Sequence, residues 1–183
     1  MSADAAETTT ITFPAIAELL GDRPILRLPQ DASDRLPSRG QVAVDGSIDG
    51  TDFTTVVEPD GRRGHWISIE PDLWQRLGTS PGEAVEVSLN PRKEWPEVTV
   101  PEDLQAALDA AVDLDEVWTS LTPMARWEWV RWIRATKSAD TRARRVDVAI
   151  SKLESGKRRP CCFDLSSCTD PELSKSGKLL GLS

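Results

Sequence analysis

Thr122 to Gly156 reads TPMARWEWVRWIRATKSADTRARRVDVAISKLESG, and the spacing of its apolar residues dictates two consecutive amphipathic helices. Thr122 followed by Pro123 is a start signal. A threonine hydroxyl can accept a free N–H of the first turn, and proline at the first helical position gives up an N–H that has no partner there. Ser138 can cap the second helix, which runs to about Glu154 with Gly156 near its end. On the first helix Ala125, Trp129, Trp132, Ile133 and Thr136 share one side, with Val130 at the flank. On the second, Ala143, Val146, Ala149, Ile150 and Leu153 form a stripe. Such stripes must be buried, so the two helices are expected to pack on each other and on Leu104 and Leu108 of a preceding helix at Glu102–Ala111. Trp127 falls off the apolar side and is expected to be half exposed.

The opposite faces are basic. Arg131 and Arg134 lie one turn apart on the first helix, and Arg142 and Arg145 one turn apart on the second; Lys137, Arg144, Lys152 and the run Lys157-Arg158-Arg159 add to them. Arginine forks suit phosphate or carboxylate, so one reading is an anion or partner site formed by Arg131, Arg134, Lys137, Arg142, Arg145, Lys157 and Arg158. The other is that these arginines dock onto acidic groups of the protein itself. Residues 1–125 hold nine Lys/Arg against 23 Asp/Glu, net −14, whereas residues 126–183 hold thirteen against seven, net +6. Partners within reach are therefore the acidic barrel, or Asp140 and Asp147.

The N-terminal part alternates rather than spirals. Extended segments begin near Thr10–Phe13 and Pro24–Leu28. Gln41–Ile48 and Thr51–Val57 then flank Asp49-Gly50, a dipeptide suited to the type I′ hairpin because both central positions need positive φ. Gly46, inside the first of these strands, marks a bend or bulge. A strand at His65–Ile69, a short helix at Pro71–Leu77 stopped by Gly78, and an alternating strand GEAVEVSL at 82–89 complete this half. The proline-punctuated PRKEWPEVTVP leads to the helix at Glu102–Ala111, and Asp115–Ser120 gives a further helical turn.

Several function classes lack their equipment. There is one histidine, no tyrosine, and no P-loop, dinucleotide-binding, zinc-protease or nucleophile-elbow motif. His65 alternates with Ile67 and Ile69, which places it on an apolar face as a structural histidine rather than a base. Cys161, Cys162 and Cys168 cluster in CCFDLSSC, but neighbours bridge only with strain, and a zinc site needs further ligands. A structural role for these thiols, or a redox role helped by Lys157, Arg158 and Arg159, is the alternative. The apolar runs are too short for a membrane span, and MSADAAETTT is not a secretory signal, so a cytoplasmic protein is expected. No cofactor and no metal are implied.

Two resemblances sharpen this reading. The succession of strand, PDLWQRLG, turn and PGEAVEVSL resembles the double-split β-barrel of AbrB-like proteins. That resemblance implies a small barrel and is compatible with a homodimer. DNA binding by so acidic a barrel is not expected, because neutralised phosphate supplies most non-specific affinity. The block from TPMARWEWVRWIR to CCFDLSSC resembles the helical region of the bacteriocin-protection, YdeI/OmpD-associated family. VDGSIDGTDF, RGHWISI, PGEAVEVSL and VPEDLQAAL resemble the domain of unknown function that commonly precedes it. The matching positions include Trp132, Lys137, Thr141, Arg142, Arg145, Gly156, Lys157 and Arg158, with Gly46, Gly50, Gly82 and Pro101 in the barrel half. The resemblance implies a bacterial protein linked to envelope stress and antimicrobial-peptide tolerance, with no catalytic residue to transfer.

The expected architecture is α+β: a disordered N-terminus at 1–9, a small double-split-type barrel at 10–100, a helical domain at 101–160 and a cysteine-containing tail at 161–183. The function expected is non-enzymatic binding of a protein partner or a small anionic ligand. The alternatives are nucleic-acid binding by the basic face, with Trp127 stacking on a base, and an enzyme of another class with a shifted carboxylate near His65 or Lys137.

Overall fold

The computed structural model describes residues 9–160, 178 and 179; the expectations for the first eight residues and for Cys161, Cys162 and Cys168 lie outside the described residues. Two compact units divide between Trp95 and Pro96.

The first unit is a closed barrel of six strands. β1 (Ile11–Leu20) places Ile11, Phe13, Ala15 and Ala17 inside and Thr12, Pro14 and Ile16 outside, the period of two that a half-buried strand requires. β2 (Arg23–Arg27), β3 (Val42–Ile48), β4 (Thr51–Pro59), β5 (His65–Ser68) and β6 (Ala84–Pro91) close it in the order β1-β2-β5-β4-β3-β6. Every neighbouring pair is antiparallel. β1 and β4 change partners midway. Ile11–Ile16 pair with β6 and Ala17–Leu20 with β2, while β4 passes from β3 to β5 at Glu58. This is the split character expected from the sequence. Leu26, Val44, Ile48, Val57, Ile67, Val87 and Leu89 fill the interior and are fully buried.

Turn chemistry sets the register. Asp49 and Gly50 take φ of 47° and 83°, and the strands leave the turn paired Ile48 to Thr51, as the Asp-Gly hairpin predicts. Gly46 differs from expectation. It stays in register with Phe53 and Leu89 and makes no bulge; instead a Cβ there would lie 2.5 Å from the Ser88 carbonyl oxygen. The glycine is needed because β6 approaches too closely for any side chain. The short α1 (Gln30–Asp34) has too few residues to show a period, whereas α2 (Pro71–Leu77) ends at Gly78, as its sequence signals.

The second unit is a helical bundle of α3 (Glu102–Ala110), α4 (Leu114–Ser120), α5 (Pro123–Arg134) and α6 (Ala139–Glu154). Both expected caps form: Thr122 Oγ1 accepts the Ala125 N–H at 3.1 Å, and Ser138 Oγ accepts that of Thr141 at 3.3 Å. Leu104, Trp129, Ile133, Ala149 and Leu153 make the centre of the core. Trp129 and Trp132 meet edge to face, with centroids 6.0 Å apart. Ala143, expected in the stripe of α6, is exposed, and Val148 packs on the core, so the buried stripe lies further round the helix than the spacing suggested. Trp127 is half-buried, as expected.

Candidate functional site

The division at Trp95 redistributes the charge. The barrel unit carries nine Lys/Arg and sixteen Asp/Glu, net −7; the helical unit carries thirteen and fourteen, net −1. Seven of the acids counted with the N-terminal part thus belong to the helical unit's own α3, α4 and the segments leading into them. Arg126, Arg142 and Arg159 have acidic partners inside their own unit.

Several of the candidate arginines are committed there. Arg142 holds Asp103 of α3 bidentately, Nε to Oδ2 at 2.6 Å and Nη2 to Oδ1 at 3.0 Å. That hydrogen-bonded pair lowers the Asp103 carboxyl below its ordinary range and raises the guanidinium. Its partner is Asp103, rather than the nearby Asp140 or Asp147. Arg145 donates through Nη1 to the Trp132 carbonyl at 2.5 Å and lies over the Trp132 ring, 5.1 Å from its centroid. An arginine thereby closes the C-terminal end of α5, where carbonyls lack helical partners. Lys152 lies 6.0 Å from the same centroid. Arg131 sits over Trp127 at 5.4 Å, so the ring surface considered for base stacking carries a guanidinium.

Two further arginines matter that lie outside the seven candidate site residues. Arg126 donates to the Leu121 carbonyl at 2.5 Å and to Glu97 at 2.7 Å, binding α5 to the end of α4. Arg159 forks onto Glu128, a carboxylate only 7 % exposed on α5, with Nε to Oε2 at 2.7 Å. Trp129 Nε1 donates to the Arg158 carbonyl at 3.0 Å. The chain after α6 is therefore sewn back along α5. The signal for it was WEW, a carboxylate beside the core residue Trp129 that demands a cation.

What remains outward is a smaller set. Arg134 at the end of α5, Arg144 on α6, and Lys157 and Arg158 beyond it are exposed. Lys137, between the two helices, is exposed as well.

In the barrel unit His65 is 1 % exposed and engaged at both ring nitrogens. Nδ1 lies 2.6 Å from Ser33 Oγ and Nε2 3.0 Å from the Gly40 carbonyl, which clips α1 and the following loop to β5. Burial lowers its pKa. It is the structural histidine expected.

The barrel also carries a depression of about 530 Å³ over β3, β4 and β6. The register puts two outward rows there: Thr12, Ser88, Ser47 and Asp52, then Asn90, Asp45 and Thr54. Asp45 accepts from Thr54 at 2.7 Å and from Arg92 at 3.0 Å. Its signal in the sequence was the outward set of small polar residues in VDGSIDGTDFT and VSLN, read only for pairing. Among the described residues no group of three or more His, Cys, Asp or Glu is placed to hold a metal, and no helix is long and apolar enough to cross a membrane.

Comparison with known proteins agrees with this division. Residues 97–156 match the profile of the bacteriocin-protection, YdeI or OmpD-associated family, and residues 9–89 match a domain of unknown function, DUF1905. A search of curated proteins finds no match to the chain. The first match covers α3 to α6 and the second covers β1 to β6 apart from the last residues of β6. The helical unit is thus similar to the bacteriocin-protection, YdeI or OmpD-associated family and the barrel unit to DUF1905.

Proposed function

We propose that the protein works by binding rather than by catalysis, and that its helical unit engages an anionic partner, an acidic protein surface, through Arg134, Arg144, Lys157 and Arg158. The observation that carries this reading is the sorting of the cations. Arg126, Arg142, Arg145 and Arg159 are consumed inside the unit, whereas these four stand exposed on a scaffold that the others rigidify. Exposed charges of one sign steer an oppositely charged partner and set its orientation. The family's description supports a role in bacteriocin protection, and tolerance of antimicrobial peptides at the envelope, exerted from the cytoplasm, is the physiological form we assign it.

Nucleic acid is the second reading, favoured by the exposed arginine forks, which suit phosphate as they suit carboxylate. Affinity capture with the full chain and with a variant carrying Arg134→Ala, Arg144→Ala, Lys157→Ala and Arg158→Ala tests the proposal. A protein partner held at low salt, released as salt rises and missing from the variant is expected. Equal capture by both forms would contradict it.

A further inference from the structure

We infer that the depression over β3, β4 and β6 is a binding site for a neutral oligosaccharide. Its size lies within the range of small-molecule sites, roughly 300–1,000 Å³. Its lining is polar where most such sites are apolar, and its two cross-strand rows contain no side chain larger than Asp or Asn. Outward barrel positions usually carry long charged side chains; here they leave a bare floor. Gly46 lets the backbone of β6 come close beneath it.

The chemistry of the rows selects the ligand. Ser47 offers a hydroxyl that both donates and accepts, Ser88 shares one hydrogen bond with Thr12, and Thr54, whose proton goes to Asp45, can still accept. Asn90 receives the Thr10 hydroxyl on Oδ1 at 2.7 Å, so its amide N–H groups remain to donate. Asp52, exposed beside Ser47, can accept from two adjacent hydroxyls of one ring. Phe53, partly buried on the lining, supplies an apolar edge for the C–H side of a sugar. Neighbouring strands stand about 4.8 Å apart, so successive members of a row meet successive polar groups of a polyol. An anion would meet the uncompensated carboxylate of Asp52. A simple cation would meet only Asp52 as a net charge, because Arg92 neutralises Asp45.

The test is a ¹H–¹⁵N titration of the full chain with maltotriose, cellotriose and triacetylchitotriose at millimolar concentration. Saturable shifts confined to the amides of residues 45–47, 52–54 and 88–90 are expected with at least one sugar. Asp52→Ala should weaken that binding about tenfold, the loss of a charged hydrogen bond. Ser47→Leu, which fills the floor at a surface strand position, should abolish it while the spectrum stays folded. No shift with any of the three sugars would overturn the inference. So would shifts with trilysine alone, which would make this a cation site, or unchanged affinity in both variants.

Discussion

Truncating Arg159 to alanine should destabilise the helical unit out of proportion to its place near the chain's end. Glu128 is 7 % exposed, on the most buried helix of the bundle, and Arg159 supplies both of the N–H donors that hold its carboxylate. Removing one partner of a buried ion pair costs about 3–5 kcal/mol, because a charge is left dry and unpaired. Arg159 itself keeps 46 % of its side-chain exposure, so water can enter the vacated side. Discounting for that, about 2 kcal/mol is expected. For a unit of this size the loss lowers the melting midpoint by about 10 °C. Glu128→Leu combined with Arg159→Ala should recover most of it, since an apolar replacement carries no charge to desolvate. Thermal unfolding followed by far-UV circular dichroism and tryptophan fluorescence reads all three proteins. A single variant within about 0.5 kcal/mol of the parent, or a double variant no better than the single, would refute the reasoning.

Three other outcomes follow from the same geometry. The His65 imidazole should titrate below its ordinary 6.5, and the sign of the linked stability change is fixed by that. Above pH 6.5 the ring is neutral in both states. Below it the unfolded chain takes up the proton first, and stability falls until the folded ring titrates too. Arg39 and Asp60 face this ring with opposite effects, so the downward shift comes first from burial. A midpoint by NMR at or above 6.5 would count against the clip. Gly46→Ala should cost about 1–3 kcal/mol, since its Cβ would stand 2.5 Å from the Ser88 carbonyl oxygen and the strand must move; a urea midpoint equal to the parent's would show that β6 is not pinned there. Arg142→Ala should cost about 1 kcal/mol, discounted for the exposure of both groups. The contribution of Asp103 is present above its unfolded pKa and lost as pH falls through the folded one, so the two proteins should converge in acid.

How much of this was legible beforehand depends on the range of the interaction. Local devices were readable residue by residue: Thr122 and Ser138 as caps, Asp49-Gly50 as the hairpin, Gly78 as a helix stop. Each is decided within about four residues. The partner of Arg142 was not, because Asp103 lies 39 positions away and Asp140 and Asp147 are nearer in sequence. Gly46 shows the same limit. Its need for no side chain comes from β6, a strand more than 40 positions on, so its own neighbours suggested only a bulge. The groove arose from pairing registers of three strands, which no single strand's alternation reveals.

The central claim is that exposed cations of the helical unit meet an anionic partner, and fluorescence anisotropy reads it most directly. Labelled polyglutamate, single-stranded and duplex oligonucleotides should each be titrated with the full chain at low and moderate salt. Polyglutamate should bind at low salt, weaken as salt rises, and lose its affinity in the variant with Arg134, Arg144, Lys157 and Arg158 changed to alanine. Oligonucleotide binding tighter than peptide binding, with a linear log–log salt slope, would favour the nucleic-acid reading instead. No binding to any probe at low salt would contradict the account.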